Sequence, residues 1–189
     1  MRLFLAVDLD AATRRAAAAV IDVLIQALGK SSDSRSVKWV ASDKMHLTLH
    51  FLGEVSAADA APLREALRTP LRTNVFEVRF GAVGAFPPSG SPRVIWIDVV
   101  VGGEALAHLH DELGVRLRAL RFETESRPYR PHLTIGRFRV PGRANVRRVL
   151  TQTPTPDVGG CPVDHVTLYQ SQLSSRGPAY VALERTALE

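Results

Sequence analysis

Apolar and polar residues alternate in two short stretches that mirror each other. In Pro131-His132-Leu133-Thr134-Ile135-Gly136-Arg137, Leu133 and Ile135 alternate with His132 and Thr134. In Met45-His46-Leu47-Thr48-Leu49-His50-Phe51-Leu52-Gly53, Leu47 and Leu49 alternate with His46 and Thr48. A period of two predicts a strand with one buried face. The histidine and threonine of each copy then share one face and the aliphatic residues the other.

Patterning elsewhere predicts the same surroundings for each copy. Before the first copy come a strand over Arg2–Leu9 and a helix over about 11–29, with Asp10 as N-cap and Gly29 as terminator. Ala18, Ile21, Leu24, Ile25 and Leu28 form its apolar stripe. Lys30–Ser36 reads as a loop, and Val37–Val40 as an extended lead into the motif strand at 45–52. A helix capped by Ser56 follows and is stopped at Pro70, and then a strand runs over 74–83. Before the second copy come an apolar strand at 93–101 and a helix over 104–120, with Leu106, Leu109, Leu113, Leu117 and Leu120 on one stripe. The motif strand at 132–140 is followed by a short helix from Arg143 to about Leu150, a loop over 151–160 and strands at 163–170 and 180–186. The last two form a hairpin about the 174–178 turn.

The order strand, helix, motif strand, helix, strand thus occurs twice, with similar intervals, and the two motifs stand nearly half a chain length apart. This is the signature of a duplication. It predicts an α+β fold of two similar lobes related by a pseudo-twofold axis, with antiparallel sheets lining a central cleft and helices outside. The repeat halves fall at roughly 1–85 and 92–189 of a single bilobal domain. The turn-rich segment Phe86–Pro92 marks the junction of the halves or a rim.

Composition narrows the class. The chain has 189 residues, of which 46% are hydrophobic, and a mean hydropathy of +0.01. The apolar run Leu3–Val7 ends at Asp8, too short for a membrane span or a signal-peptide core. A single cysteine, Cys161, excludes an internal disulfide and a cysteine-based zinc cluster and reads as a small buried residue. A cytoplasmic, monomeric protein is expected. The net charge is +5 and the pI about 10.0. Ten arginines (116, 118, 121, 127, 130, 137, 139, 143, 147 and 148) face only Glu123 and Glu125 over that span. Such a run suits a phosphate-bearing polyanion, or else a solvated helix face with surface loops.

The chemistry then follows from the paired motifs. Two imidazoles titrating near neutrality can hold one neutral and one protonated member together, as concerted base and acid catalysis at phosphorus requires. Threonine hydroxyls in the same row can donate to oxygens that gain charge in the transition state. A cyclic phosphodiester suits such a site, and no metal or other cofactor is needed. His46 and His50 would lie about 13 Å apart on a strand, too far for one ion. His50, His108, His110 and the isolated His165 read as surface or structural residues. Simple alternation places Arg137 opposite His132, unless a bulge at Gly136 re-aims it. Phe51 has the same parity and reads as core.

The motifs "HLTLHFLG" and "RPHLTIGR" resemble the two signatures of the two-histidine (2H) phosphoesterases. Within these, the chain is similar to the RNA 2',3'-cyclic phosphodiesterases, also called LigT-like proteins or 2'-5' RNA ligases. "RLFLAVDL" at the start, "PRVIW" at 92–96 and "LYQSQL" near the end extend the likeness over nearly the whole chain. The resemblance implies hydrolysis of RNA 2',3'-cyclic phosphate ends, such as those of tRNA halves, to 2'-phosphates. It implies His46 as proton donor to O3', His132 as proton acceptor from water, and Thr48, Thr134 and Arg137 as phosphate-binding residues. It also admits 2'-5' joining of RNA ends by the reverse reaction. Hydrolysis of small cyclic nucleotides and RNA binding without chemistry are further alternatives.

Overall fold

The computed structural model describes residues 1–29, 32–125, 127–142, 144–174 and 177–189. The predicted positions Lys30, Arg143, Ser175 and Arg176 lie outside these. In chain order the elements are β1 (Arg2–Asp8), α1 (Ala11–Leu28), α2 (Ser32–Ser36), β2 (Val37–Trp39), a 3-10 turn (Ser42–Lys44), β3 (His46–Glu54), α3 (Ala57–Ala66), β4 (Phe76–Phe86), β5 (Val94–Val101), α4 (Gly103–Ala119), β6 (His132–Phe138), α5 (Ala144–Gln152), β7 (Gly160–Val163), β8 (His165–Ser174) and β9 (Gly177–Ala187).

The helices start where the sequence supplies caps. The Asp10 carboxylate accepts from the Thr13 backbone N–H at 2.7 Å, and the Ser56 hydroxyl accepts from that of Asp59 at 3.1 Å. Each satisfies a donor that the first helical turn leaves unpaired. Two expectations need correction. Over the described part of the predicted loop at 30–36, Ser32–Ser36 forms a short helix, closed by a hydrogen bond from the Ser36 hydroxyl to the Asp33 carbonyl. On α1, Ile25 is exposed, and Thr13, Ala17 and Val20 join Ile21, Leu24 and Leu28 in the buried stripe.

The strands form two antiparallel sheets, one in the order β3-β1-β8-β9 and the other in the order β2-β6-β5-β4-β7. Each motif strand lies beside the strand that opens its own repeat: β3 beside β1, and β6 beside β5. The next neighbour is exchanged. β4, from the first half of the chain, lies beside β5, and β8, from the second half, lies beside β1. The Pro-rich segment after Phe86 is the loop of the β4–β5 hairpin, so the first half of the chain ends inside the sheet that carries the second motif. Helices are exchanged as well. α4 packs against β3, and α1 reaches β7 through a hydrogen bond from the Thr13 hydroxyl to the Gly160 carbonyl.

The aliphatic faces supply the core. Leu3, Leu5 and Val7 of β1, Leu47 of β3, Ile95 and Ile97 of β5 and Leu133 and Ile135 of β6 are buried, together with Leu106, Leu109, Leu113 and Leu117 of α4. Burying these faces is the main favourable contribution to folding. It also fixes the strand register, because a slip of one residue would turn each aliphatic row outward. The histidine and threonine rows are thereby held on the opposite, open face.

Candidate active site

Simple alternation fails at a matching place in both motif strands, and once more near the end of β3, where Leu52 is extra. Along β6, Thr134 faces Trp96 and Gly136 faces the next residue, Ile95, so Ile135 is extra. Along β3, Thr48 faces Ala6 and His50 faces Leu5, so Leu49 is extra. Such a bulge shifts the parity of everything after it. Leu49 and Ile135 remain buried, followed by buried His50 and Gly136. The residues after these, Phe51 and Arg137, emerge on the same face as the histidines and threonines. Both line the cleft, which corrects the assignment of Phe51 to the core: it is 53% exposed.

β3 and β6 approach one another where the two sheets meet. The cleft there encloses about 220 Å3 and is bordered by His46, Thr48, Thr134 and Arg137. His132 is outside the lining of this cavity. Its ring stands edge-on to Phe86, with centroids 5.2 Å apart, and to Trp96 at 6.4 Å. Arg137 nevertheless links the two histidines, because its positive charge disfavours protonation of both His46 and His132. Arg2, Lys44 and Tyr180 are among the other residues that line the cleft and were not anticipated from the sequence. Arg2 had a signal: it shares the even-numbered face of β1 with Asp8.

The two imidazoles are oriented alike. Nδ1 of His46 bonds the Lys44 carbonyl at 2.9 Å, and Nδ1 of His132 bonds the Arg130 carbonyl at 2.7 Å. A carbonyl only accepts, so Nδ1 carries a hydrogen in each ring and Nε2 is left for proton transfer. Burial is the largest influence on both and holds each below the usual histidine range, while the carbonyl contact partly opposes it.

Aromatic rings brace each histidine. Phe4 lies 4.9 Å from the His46 ring and Tyr180 stands edge-on to it at 5.4 Å. The wall behind His132 is Phe86 stacked on Trp96 at 4.9 Å. Gly84 makes that stack possible: a Cβ there would lie 2.3 Å from the Trp96 ring. Gly84→Ala is therefore expected to displace Trp96, lower stability by about 1–3 kcal/mol and reduce turnover through misplacement of His132. Thermal unfolding and a steady-state assay on the same preparation check this.

The remaining histidines are surface or structural residues, as expected, and only the isolation of His165 needs correction. His50 is buried; its Nε2 contacts the His110 carbonyl at 2.8 Å, and its ring stacks on His110, which in turn stacks on Tyr129. His108 is exposed on α4. His165 is not isolated: its Nε2 lies 3.1 Å from Asp8 Oδ2, and its Nδ1 contacts Asp164. Two arginines of the run are tied to neighbouring segments. Arg116 donates to the Thr69 and Pro70 carbonyls, and Arg147 donates to those of Ala85, Pro87 and Gly90.

The model of the 2'-5' RNA ligase superfamily matches residues 8–174. The chain belongs to that superfamily. An Archaeoglobus fulgidus relative named RNA 2',3'-cyclic phosphodiesterase is 35% identical over 95% of this chain and 96% of its own length. A relative of the same name from Methanothermobacter thermautotrophicus is 33% identical over 97% of each chain. Among solved structures of the superfamily's fold, E. coli LigT complexed with 3'-AMP superposes with a TM-score of 0.77 at 28% identity, over 99% of this chain and 97% of LigT. Among the described residues, no helix is long and apolar enough to cross a membrane.

Proposed function

We propose that this superfamily member hydrolyses RNA 2',3'-cyclic phosphate ends to 2'-phosphomonoesters by a metal-independent, two-histidine mechanism. The observation that carries the reading is the matched presentation of the two imidazoles. Each is bonded through Nδ1 to a carbonyl two residues earlier, beside a threonine two residues later, with Arg137 acting on both. The names of the full-length relatives support the substrate class.

In this mechanism Nε2 of His132 accepts a proton from water as its oxygen attacks phosphorus. The P–O3' bond breaks, and His46 gives its Nε2 proton to the departing O3'. The 2'-ester bond remains, and one water is consumed. The Thr48 and Thr134 hydroxyls and the Arg137 guanidinium bind the non-bridging oxygens, where hydrogen bonds to developing charge count most. A 5'-hydroxyl in place of water would join 2'-5' ends through the same site, a second reading favoured by the family description.

The test is turnover of purified protein on oligonucleotides and mononucleotides ending in 2',3'-cyclic phosphate, with and without EDTA. Hydrolysis unchanged by chelation is expected, with oligonucleotides preferred over mononucleotides. Loss of activity on chelation would favour a metal hydrolase. Preference for mononucleotides would favour a small-nucleotide enzyme.

A further inference from the structure

The paired motifs treat the two histidines alike, but an asymmetry lies on the neighbouring strands. In β1, Asp8 is the cross-strand partner of His46. In β5, Asp98 is the cross-strand partner of His132. Cross-strand partners point to the same face with Cβ atoms about 4.5–5.5 Å apart. Each imidazole thus has a carboxylate at the same relative position, and the two carboxylates are used differently.

Asp8 is held by side chains of β8. The Tyr169 hydroxyl donates to Oδ1, the Thr167 hydroxyl donates to Oδ2 at 2.8 Å, and His165 Nε2 lies 3.1 Å from Oδ2. Burial works against the charge, but these contacts prevail and keep the carboxylic acid below its usual range, so it is ionised at neutral pH. Asp98 instead turns Oδ1 to the backbone N–H of Val99 at 3.0 Å. The negative charge of Asp8 favours the protonated form of His46. Asp98 is not among the described groups that shift His132.

We propose that Asp8, fixed by Tyr169, Thr167 and His165, is a positioning residue that keeps the proton on His46 and so makes His46 the acid of the pair. This rests on the two-histidine reading above and adds the residue that breaks its symmetry. Other charged or titratable groups also face His46. Arg137 of β6 opposes protonation, Tyr180 of β9 stands edge-on to the ring, and Arg2 and Lys44 border the same cleft. Tyr169 and His165 bond Asp8 rather than His46, and Asp164 backs His165. Asp8 is thus the carboxylate set against a cationic cleft.

The test is an NMR titration of both imidazoles in ligand-free protein, in parallel with the pH profile of kcat/KM on a cyclic-phosphate oligonucleotide. Asp8→Asn should lower the His46 midpoint by about 0.5–1 pH unit, the small end of the range for an adjacent opposite charge because Asp8 is only partly buried. The His132 midpoint should stay in place. The alkaline limb of the profile should move down with His46, and Asp8→Glu, which keeps the charge, should restore it. Asp98→Asn should move neither midpoint. An unmoved His46, or equal shifts of both histidines in Asp8→Asn, would overturn the proposal. If Asp8→Asn does not fold, the wild-type Asp8 carboxyl 13C resonance serves instead. Measured in a His165→Gln background, so that the imidazole beside Oδ2 does not contribute, it should step at the His46 midpoint and lose that step when His46→Gln is added, and a step that persists there overturns the proposal. Because the titration needs no substrate, failure to hydrolyse cyclic phosphates would refute the functional reading while leaving the role of Asp8 separately decided.

Discussion

Replacing His132 by Ala should lower kcat on a 2',3'-cyclic phosphate oligonucleotide by about 10²–10⁴-fold, the usual contribution of one positioned proton-transfer group. His46→Ala should do the same. The double variant should lose little more than either single one, because groups that act in one concerted step are not additive. Folding should persist in all three: both rings lie on the open face and bond only to local carbonyls, leaving the core rows intact. Equal far-UV spectra and unfolding midpoints within a few degrees would show this. The pH dependence of the wild-type enzyme carries the same information. Burial holds both imidazoles below the usual histidine range. The base must be neutral and the acid protonated, so both limbs of the free-enzyme profile should lie lower than they would for two solvent-exposed histidines. Activity should fall steeply as pH rises through the His46 titration.

Arg137→Ala should cost nearly as much, about 10²–10³-fold in kcat/KM, comparable to removing one preorganised donor to a developing oxyanion. Lysine at this position should recover part of the loss, since it restores the charge without the fork of parallel donors. The same substitution should raise the titration midpoints of both His46 and His132, because Arg137 opposes the protonation of each. That double effect separates a guanidinium that acts on both rings from one that serves only as a surface charge. Steady-state kinetics and imidazole titration of Arg137→Ala and Arg137→Lys check it.

Arg137 also shows how far local pattern reaches. Strict alternation would turn it from the cleft, a bulge at Gly136 would bring it back, and the family resemblance made it an expected phosphate contact. What re-aims it is the extra residue Ile135, visible only when β6 is set against β5. The matching extra residue Leu49 re-aims Phe51, which the same alternation assigned to the core. By contrast, the shared face of His46 and Thr48, and of His132 and Thr134, was legible because each pair precedes its bulge. The leucine stripe of α4 was legible because burial against a sheet imposes the helical period directly. The exchange of β4 and β8 between sheets was not, since a strand's pattern states which face is buried and not which neighbour it finds. His165 likewise looked isolated because its partner, Asp8, lies at the other end of the chain and adjoins it only through the β1–β8 pairing. The short helix at Ser32–Ser36 was missed because serine and aspartate, which favour turns and caps, make up most of it.

The most direct test of the two-histidine account is 31P NMR of an RNA oligonucleotide ending in 2',3'-cyclic phosphate, incubated with the protein in EDTA. The account predicts that the cyclic diester signal is replaced by that of a 2'-phosphomonoester alone, and that it persists with His46→Ala and with His132→Ala. A 3'-phosphomonoester product, or undiminished conversion by either variant, would contradict it.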